Sequence, residues 1–251
     1  MKLIQPDWPA PANIVALSTT RLGGLSEAPF DSLNLADHVG DKPATVQANR
    51  ERLASHCAGL GAISWVTQVH GTTVVEADAA NAPEADAQYT RTPGLGCAVL
   101  TADCLPVLLC SRDGTEVAAA HAGWRGLSAG VLEHTVAALA TPADQLLAWL
   151  GPAIGPAAFE VGEEVREAFL HEGGDPALER CFEPAGRPGR WLADLCGLAR
   201  VRLAAIGVSA CFGGGWCTYT DRERFFSYRR DGITGRMASL IYIVPDVDER
   251  W

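Results

Sequence analysis

Residues 97–127 read CAVLTADCLPVLLCSRDGTEVAAAHAGWRGL, and the fold turns on this stretch. Within it, 97–101, 106–110 and 116–120 are apolar runs of strand length. Ser111-Arg112-Asp113-Gly114, between the second and third runs, carries the Asp-Gly signal of a tight hairpin. The period then changes. Leu127, Val131, Leu132, Val136 and Leu139 share one face at helical spacing, which predicts a helix over 127–140. Strands arriving both as hairpins and in strand–helix alternation favour a mixed-sheet α+β or layered architecture over a doubly wound parallel sheet.

Outward from this stretch the same signals recur. Residues 14–19 alternate and are rich in β-branched types, as a strand requires. The loop over 20–34 contains Arg21-Leu22-Gly23-Gly24, and a loop of that length without periodicity is often functional. Asp41-Lys42-Pro43 reads as the start of a helix that runs to about Cys57. Residues 63–69 and 72–76 read as strands joined at His70-Gly71, and 78–86 as a loop. Further on, 146–150, 208–212, 225–228 and 238–244 read as strands, and 163–171 and 192–206 as helices. Gly151-Pro152-Ala153-Ile154-Gly155-Pro156 forms a rigid, non-helical turn.

A chain of 251 residues is long enough to bury a sizeable core, and its 48% hydrophobic and 20% charged content is that of a globular protein. The net charge of −10, with arginines spread along the chain, argues against a nucleic-acid partner, which calls for a basic stripe. The start, Met1 to Asp7, has no apolar run of a signal peptide, and no stretch approaches the ~20 apolar residues of a membrane span. The eight cysteines include no Cys-x-x-Cys pair. Free thiols in a reducing compartment are expected, and hence a cytoplasmic location.

Residues able to bind a transition metal occur in Gln68-Val69-His70-Gly71, in Thr101-Ala102-Asp103-Cys104-Leu105-Pro106 and in His121-Ala122-Gly123-Trp124-Arg125-Gly126. Each follows a strand-like run, and neighbouring strand ends converge in space, so His70, Cys104 and His121 can meet. Two histidines and one cysteine leave the fourth position of tetrahedral zinc for water or substrate, the pattern of a catalytic site. Singly, the histidines read as polar strand ends and Cys104 as a small core residue, and spacing alone leaves both readings open. Asp103 reads as a general acid/base, as an anchor for a metal-bound histidine, or as a turn cap. Arg125 at a helix entrance, Arg21 in the glycine loop and Arg50 in the first helix are candidate anion holders. Arg229, in Phe225-Phe226-Ser227-Tyr228-Arg229-Arg230-Asp231, is a fourth. Solvated surface arginines are the ordinary alternative.

Further patches line up in order along the chain: Ser18-Thr19-Thr20-Arg21-x-Gly23-Gly24, Ser32-Leu33-Asn34-Leu35, Asn49-Arg50, Gly151-Pro152-Ala153-Ile154-Gly155 and Phe159-Glu160-Val161-Gly162. With the three metal-bearing patches and the 226–231 run, they make the whole chain resemble the bacterial laccase-domain proteins. These are also called the peptidoglycan editing factor or multicopper polyphenol oxidase-like family. The resemblance implies an α+β fold, a layered sandwich of mixed β-sheets flanked by helices, as a single domain over 1–251. It implies metal ligands at His70, Cys104 and His121, with zinc the usual ion. It implies purine nucleoside phosphorylase activity, with adenosine deamination and methylthioadenosine cleavage, on the small-molecule partners purine nucleoside and phosphate. Correction of cell-wall precursors and copper-dependent phenol oxidation are further roles attached to the family.

The residues weigh these labels against one another. A multicopper oxidase draws on paired His-x-His motifs; the six histidines of this chain form none. A laccase mechanism is therefore disfavoured, although copper can occupy such a site adventitiously. Nucleoside chemistry fits one open three-ligand site, with Asp103, Cys104 and His121 as the catalytic set and Asp103 moving the proton. Two alternatives use the same residues. One is a cysteine hydrolase editing a cell-wall precursor, with Cys104 as nucleophile and His121 as base. The other is a metal-stabilised binding module without turnover.

Overall fold

The hairpin around Asp113-Gly114 lies at the centre of the structure, a computed structural model that describes residues 1–170 and 175–245. Before it come β1 (Leu3–Ile4), β2 (Ile14–Thr19), α1 (Pro43–Ser55), β3 (Ala62–Ser64), β4 (Val74–Glu76), β5 (Ala87–Thr90) and β6 (Leu95–Thr101). The hairpin is β7 (Leu105–Ser111) and β8 (Val117–Ala122), followed by α2 (Trp124–Ala129), α3 (Val131–Ala138) and β9 (Leu146–Leu150). Next are β10 (Glu160–Gly162), α4 (Glu163–Phe169), α5 (Pro176–Glu179), β11 (Phe182–Pro184) and β12 (Arg190–Ala193). The last elements are α6 (Leu195–Ala205), β13 (Ala210–Gly213), α7 (Tyr228–Asp231) and β14 (Met237–Ile243).

One sheet has the order β13-β9-β7-β8-β5-β4, a second β1-β2-β14-β6-β3, and a small third β10-β12-β11. Parallel pairs (β13 with β9, β4 with β5, β3 with β6) sit among antiparallel ones, so the large sheets are mixed. Between those sheets, Leu108 and Cys110 of β7 and Val117 and Ala119 of β8 meet Cys97, Val99, Ile241 and Ile243. Leu105, Val107 and Leu109 point the other way, onto Leu127, Val131, Leu132 and Leu198 of the helical layer. Side chains alternate along a strand, so a strand buried on both faces reads as an unbroken apolar run. Each leucine or isoleucine buried in this way contributes roughly 1.5–3 kcal/mol. Outside the five-stranded sheet, Leu100, Leu240 and Tyr242 pack with Leu53 of α1 and with Leu33 and Leu35 of the long loop. The architecture is the expected α+β sandwich of mixed sheets flanked by helices.

Several boundaries differ from the sequence reading, each for a local reason. The helix expected over 127–140 is two helices, because Gly130 adopts φ 102°, a left-handed conformation that glycine takes without strain. The helix expected from 192 starts at Leu195. Asp194 accepts the Gly197 N–H at 2.9 Å and caps it, leaving Leu192 to β12. Residues 225–228 do not form a strand, since Ser227 accepts the Arg230 N–H and starts α7. The run 63–69 stops pairing with β6 at Ser64, and Thr67 makes only an isolated parallel bridge to Glu84. Beyond it the Gln68 side chain replaces main-chain pairing with β6, donating to the Leu100 carbonyl at 2.8 Å and accepting its N–H at 2.7 Å. The strand read at 72–76 begins at Val74, and β5 is too short to show a period. His171, the expected end of the 163–171 helix, lies outside the described residues. Among the described residues no helix is long and apolar enough to cross a membrane.

Candidate metal centre

Three separate segments deliver the ligands. His121 is next to last in β8, paired with Pro106 of β7, and Cys104 directly precedes β7. His70 sits within a loop between β3 and β4, not at the strand end expected of it. Its φ of 62° and the 90° of Asp103 fall in the left-handed region, which costs a non-glycine residue about 1–3 kcal/mol. The 70-loop is held by Asp86, a buried carboxylate that accepts the N–H groups of Val69 (3.2 Å), His70 (2.9 Å) and Gly71 (2.6 Å).

The ligand atoms of His70, Cys104 and His121 all lie within 4.8 Å of one another, with His70 Nε2 3.9 Å from Cys104 Sγ. Metal bonds of about 2.0–2.3 Å bring such atoms to roughly 3.5 Å apart, so small side-chain rotations close the set around one ion. Gly123 keeps the space clear: a Cβ there would stand 3.1 Å from Cys104 Sγ and 3.1 Å from His70 Cδ2. Gly126 admits the 70-loop, since a Cβ there would meet the Gly71 carbonyl oxygen at 2.7 Å. The donor set suits a single ion. No second cluster of three or more His, Cys, Asp or Glu occurs among the described residues. Met237, the kind of sulfur that completes blue-copper sites, instead accepts the Phe226 N–H at 3.2 Å.

Electrostatics prepare the pair at the centre. His121 Nδ1 donates to Asp86 Oδ1 at 2.8 Å, which directs Nε2 towards the other ligands. Burial alone raises the Cys104 thiol, but His121, and after it His70, outweigh that and bring it down to about 6. Burial lowers His121, but the Cys104 thiolate and Asp86 carry it up to about 9. Away from any histidine, burial pushes Cys110 up to about 12. Burial works against Asp86 too, yet the His121 ring and the N–H groups of Gly71 and Val69 hold its carboxyl below the usual range.

The ligands open onto a cavity of about 350 Å³ whose wall includes His38, Gln68, Leu100, Tyr228 and Arg236. Asp103 is not on that wall. Its carboxylate accepts the hydroxyls of Thr218 (2.6 Å) and Ser227 (3.0 Å) and the N–H of Arg229 (2.7 Å), so it fastens α7. The four arginines proposed from the sequence are also off the wall. Arg21 pairs with Asp31 and lies over Phe226; Arg50 pairs with Asp37 and lies over Trp65. Arg229 donates to the Glu160 carbonyl at 2.8 Å, and Arg125 lies over the ring of Trp124. Asp86, His38 and Arg236 escaped sequence reading, because nothing in local spacing ties them to the ligands.

The sequence model of the family described as multi-copper polyphenol oxidoreductase laccase matches residues 15–244. A protein of Pseudomonas aeruginosa named purine nucleoside phosphorylase is 56% identical over 96% of this chain and 98% of its own. One of the same name from Escherichia coli is 55% identical over 97% of this chain and 99% of its own. A solved protein of Neisseria meningitidis superposes with a TM-score of 0.92 at 49% identity, covering 98% of this chain and 100% of that one.

Proposed function

Because this chain belongs to the multi-copper polyphenol oxidoreductase laccase family, with relatives named purine nucleoside phosphorylase, we propose that it is a zinc-dependent purine nucleoside phosphorylase. The observation that carries this reading is the open His70-Cys104-His121 set on a cavity of about 350 Å³, a volume suited to a small molecule. A donor set for one ion does not supply the several coppers that the oxidase description calls for. In phosphorolysis the bond from C1′ to the base breaks, phosphate oxygen takes C1′, and the base leaves with the electron pair and must be neutralised. His70, Cys104 and His121 would hold the zinc, which would supply Lewis-acid chemistry when bound. Asp86 keeps a proton on His121 Nδ1 and so fixes the ring that faces the substrate. We read Asp103 as a positioning residue rather than a proton shuttle, since its oxygens are taken by Thr218, Ser227 and Arg229. Through α7 it places Tyr228 at the cavity. Adenosine deamination and methylthioadenosine cleavage belong to the same proposal, because both substrates present a purine to the same cavity.

The test combines metal analysis with an assay of hypoxanthine released from inosine and phosphate. Cys104→Ala and His121→Ala are expected to lose both metal and activity, and full phosphorolysis by a metal-free variant would sink the proposal. The depressed Cys104 thiol beside His121 favours one second reading, a cysteine hydrolase acting on an amide or ester of a cell-wall precursor. Iodoacetamide separates the two: a bare thiolate alkylates rapidly, whereas a metal-filled site protects Cys104.

A further inference from the structure

Arg236 is the only arginine on the wall of the metal cavity among the described residues. Its backbone is fixed from both sides. Its N–H donates to Asn34 Oδ1 at 3.0 Å, its carbonyl accepts the Leu35 N–H at 3.3 Å, and the next residue begins β14. Nη1 anchors the guanidinium by donating to the carbonyls of Thr234 at 2.8 Å and Gly235 at 3.1 Å. Among the described residues Nε and Nη2 have no acceptor, and no carboxylate stands within ion-pair distance. These two nitrogens form one edge of the guanidinium, the edge that meets a tetrahedral oxyanion with parallel hydrogen bonds.

The charges around Arg236 sharpen this. Burial lowers its pKa, and the nearby negative groups, Cys104 and Asp103, act in the opposite direction. Both of those are engaged elsewhere, Cys104 with its histidines and Asp103 with its three donors. The half-buried guanidinium, always charged in proteins, is thus left beside the metal ligands without a counter-ion. Tyr228, 61% exposed and on the same wall, has its ring 5.8 Å from the guanidinium carbon and flanks the position.

We propose that Arg236 is the phosphate seat of the cavity, holding inorganic phosphate through Nε and Nη2 next to the metal ligands. The role expected of Arg21, Arg50, Arg125 and Arg229 passes to a residue those patches did not include. The choice of phosphate as the anion rests on the phosphorolysis reading; the seat itself rests on the geometry.

Calorimetric titration of the metal-loaded protein with inorganic phosphate tests this, with metal content measured alongside. Arg236→Gln is expected to weaken phosphate binding roughly ten- to a hundredfold and to raise the phosphate KM in step, with metal stoichiometry unchanged. Arg236→Lys keeps charge and bulk but not the paired donors, and is expected to fall about tenfold. Unchanged phosphate affinity in both variants, or a loss that appears in Arg125→Gln instead, overturns the proposal. Binding of adenosine monophosphate through Arg236 with no binding of inorganic phosphate also overturns it. Phosphate binding that depends on Arg236 in a wild-type protein that turns over no nucleoside supports the seat and defeats the phosphorylase reading.

Discussion

A single proton separates the Cys104–His121 pair from a ready ligand set. With the thiol at about 6 and the imidazole at about 9, the metal-free pair between those values is a thiolate facing an imidazolium. Metal needs the thiolate and the neutral ring, so binding in that window must expel a proton from His121 and none from Cys104. Calorimetry in buffers of different ionisation enthalpy is expected to count about one proton released. Below about 6 the thiol also holds its proton, so the apparent affinity falls more steeply with acid. Above about 9 the ring is neutral in the metal-free state and the pH dependence levels off. Release of no proton at neutral pH contradicts this account of the pair.

At the scale of elements, two buried carboxylates hold the pieces that surround the metal position. Asp86, one residue before β5, fastens the 70-loop by three backbone N–H groups and orients His121 at the end of β8. Asp103, before β7, fastens α7 from the other side. Asp86→Asn keeps one carbonyl acceptor for four donors and turns an N–H₂ towards groups that also donate. Metal affinity is expected to fall roughly 10- to 100-fold, read by competition with a chromogenic chelator, while far-ultraviolet circular dichroism stays that of the wild type. An affinity within twofold of wild type would show that the loop holds His70 without Asp86. The short elements here are those that sequence periodicity handled worst. The 65–73 loop imitates a strand because Gln68 pairs by its side chain, and 225–228 imitates one because Phe225 and Phe226 are buried just before the Ser227 cap of α7.

For the molecule as a whole, stability comes from the double-sided burial of β7 between the second sheet and the helical layer. Leu108 lies midway along β7, in the core between the sheets and away from the metal ligands. Leu108→Ala is expected to cost about 2–5 kcal/mol in denaturant unfolding while the folded fraction still binds one metal ion. A smaller loss, under about 1 kcal/mol, would mean that the sheets close over the gap. The mixed-sheet architecture, the hairpin at Asp113-Gly114 and the candidate ligands His70, Cys104 and His121 were legible in the chain itself. Burial on both faces imprints a continuous apolar run, turns demand particular residues, and the chemistry of histidine and cysteine is carried by the residue type. The attendants of the site were not legible. That Asp86 serves His121, that Asp103 serves α7, and that Arg236 rather than Arg21, Arg50, Arg125 or Arg229 stands on the cavity wall were decided by tertiary structure alone. A charge finds its partner through strand order and loop docking, which join residues far apart in the chain and leave no periodic trace in it.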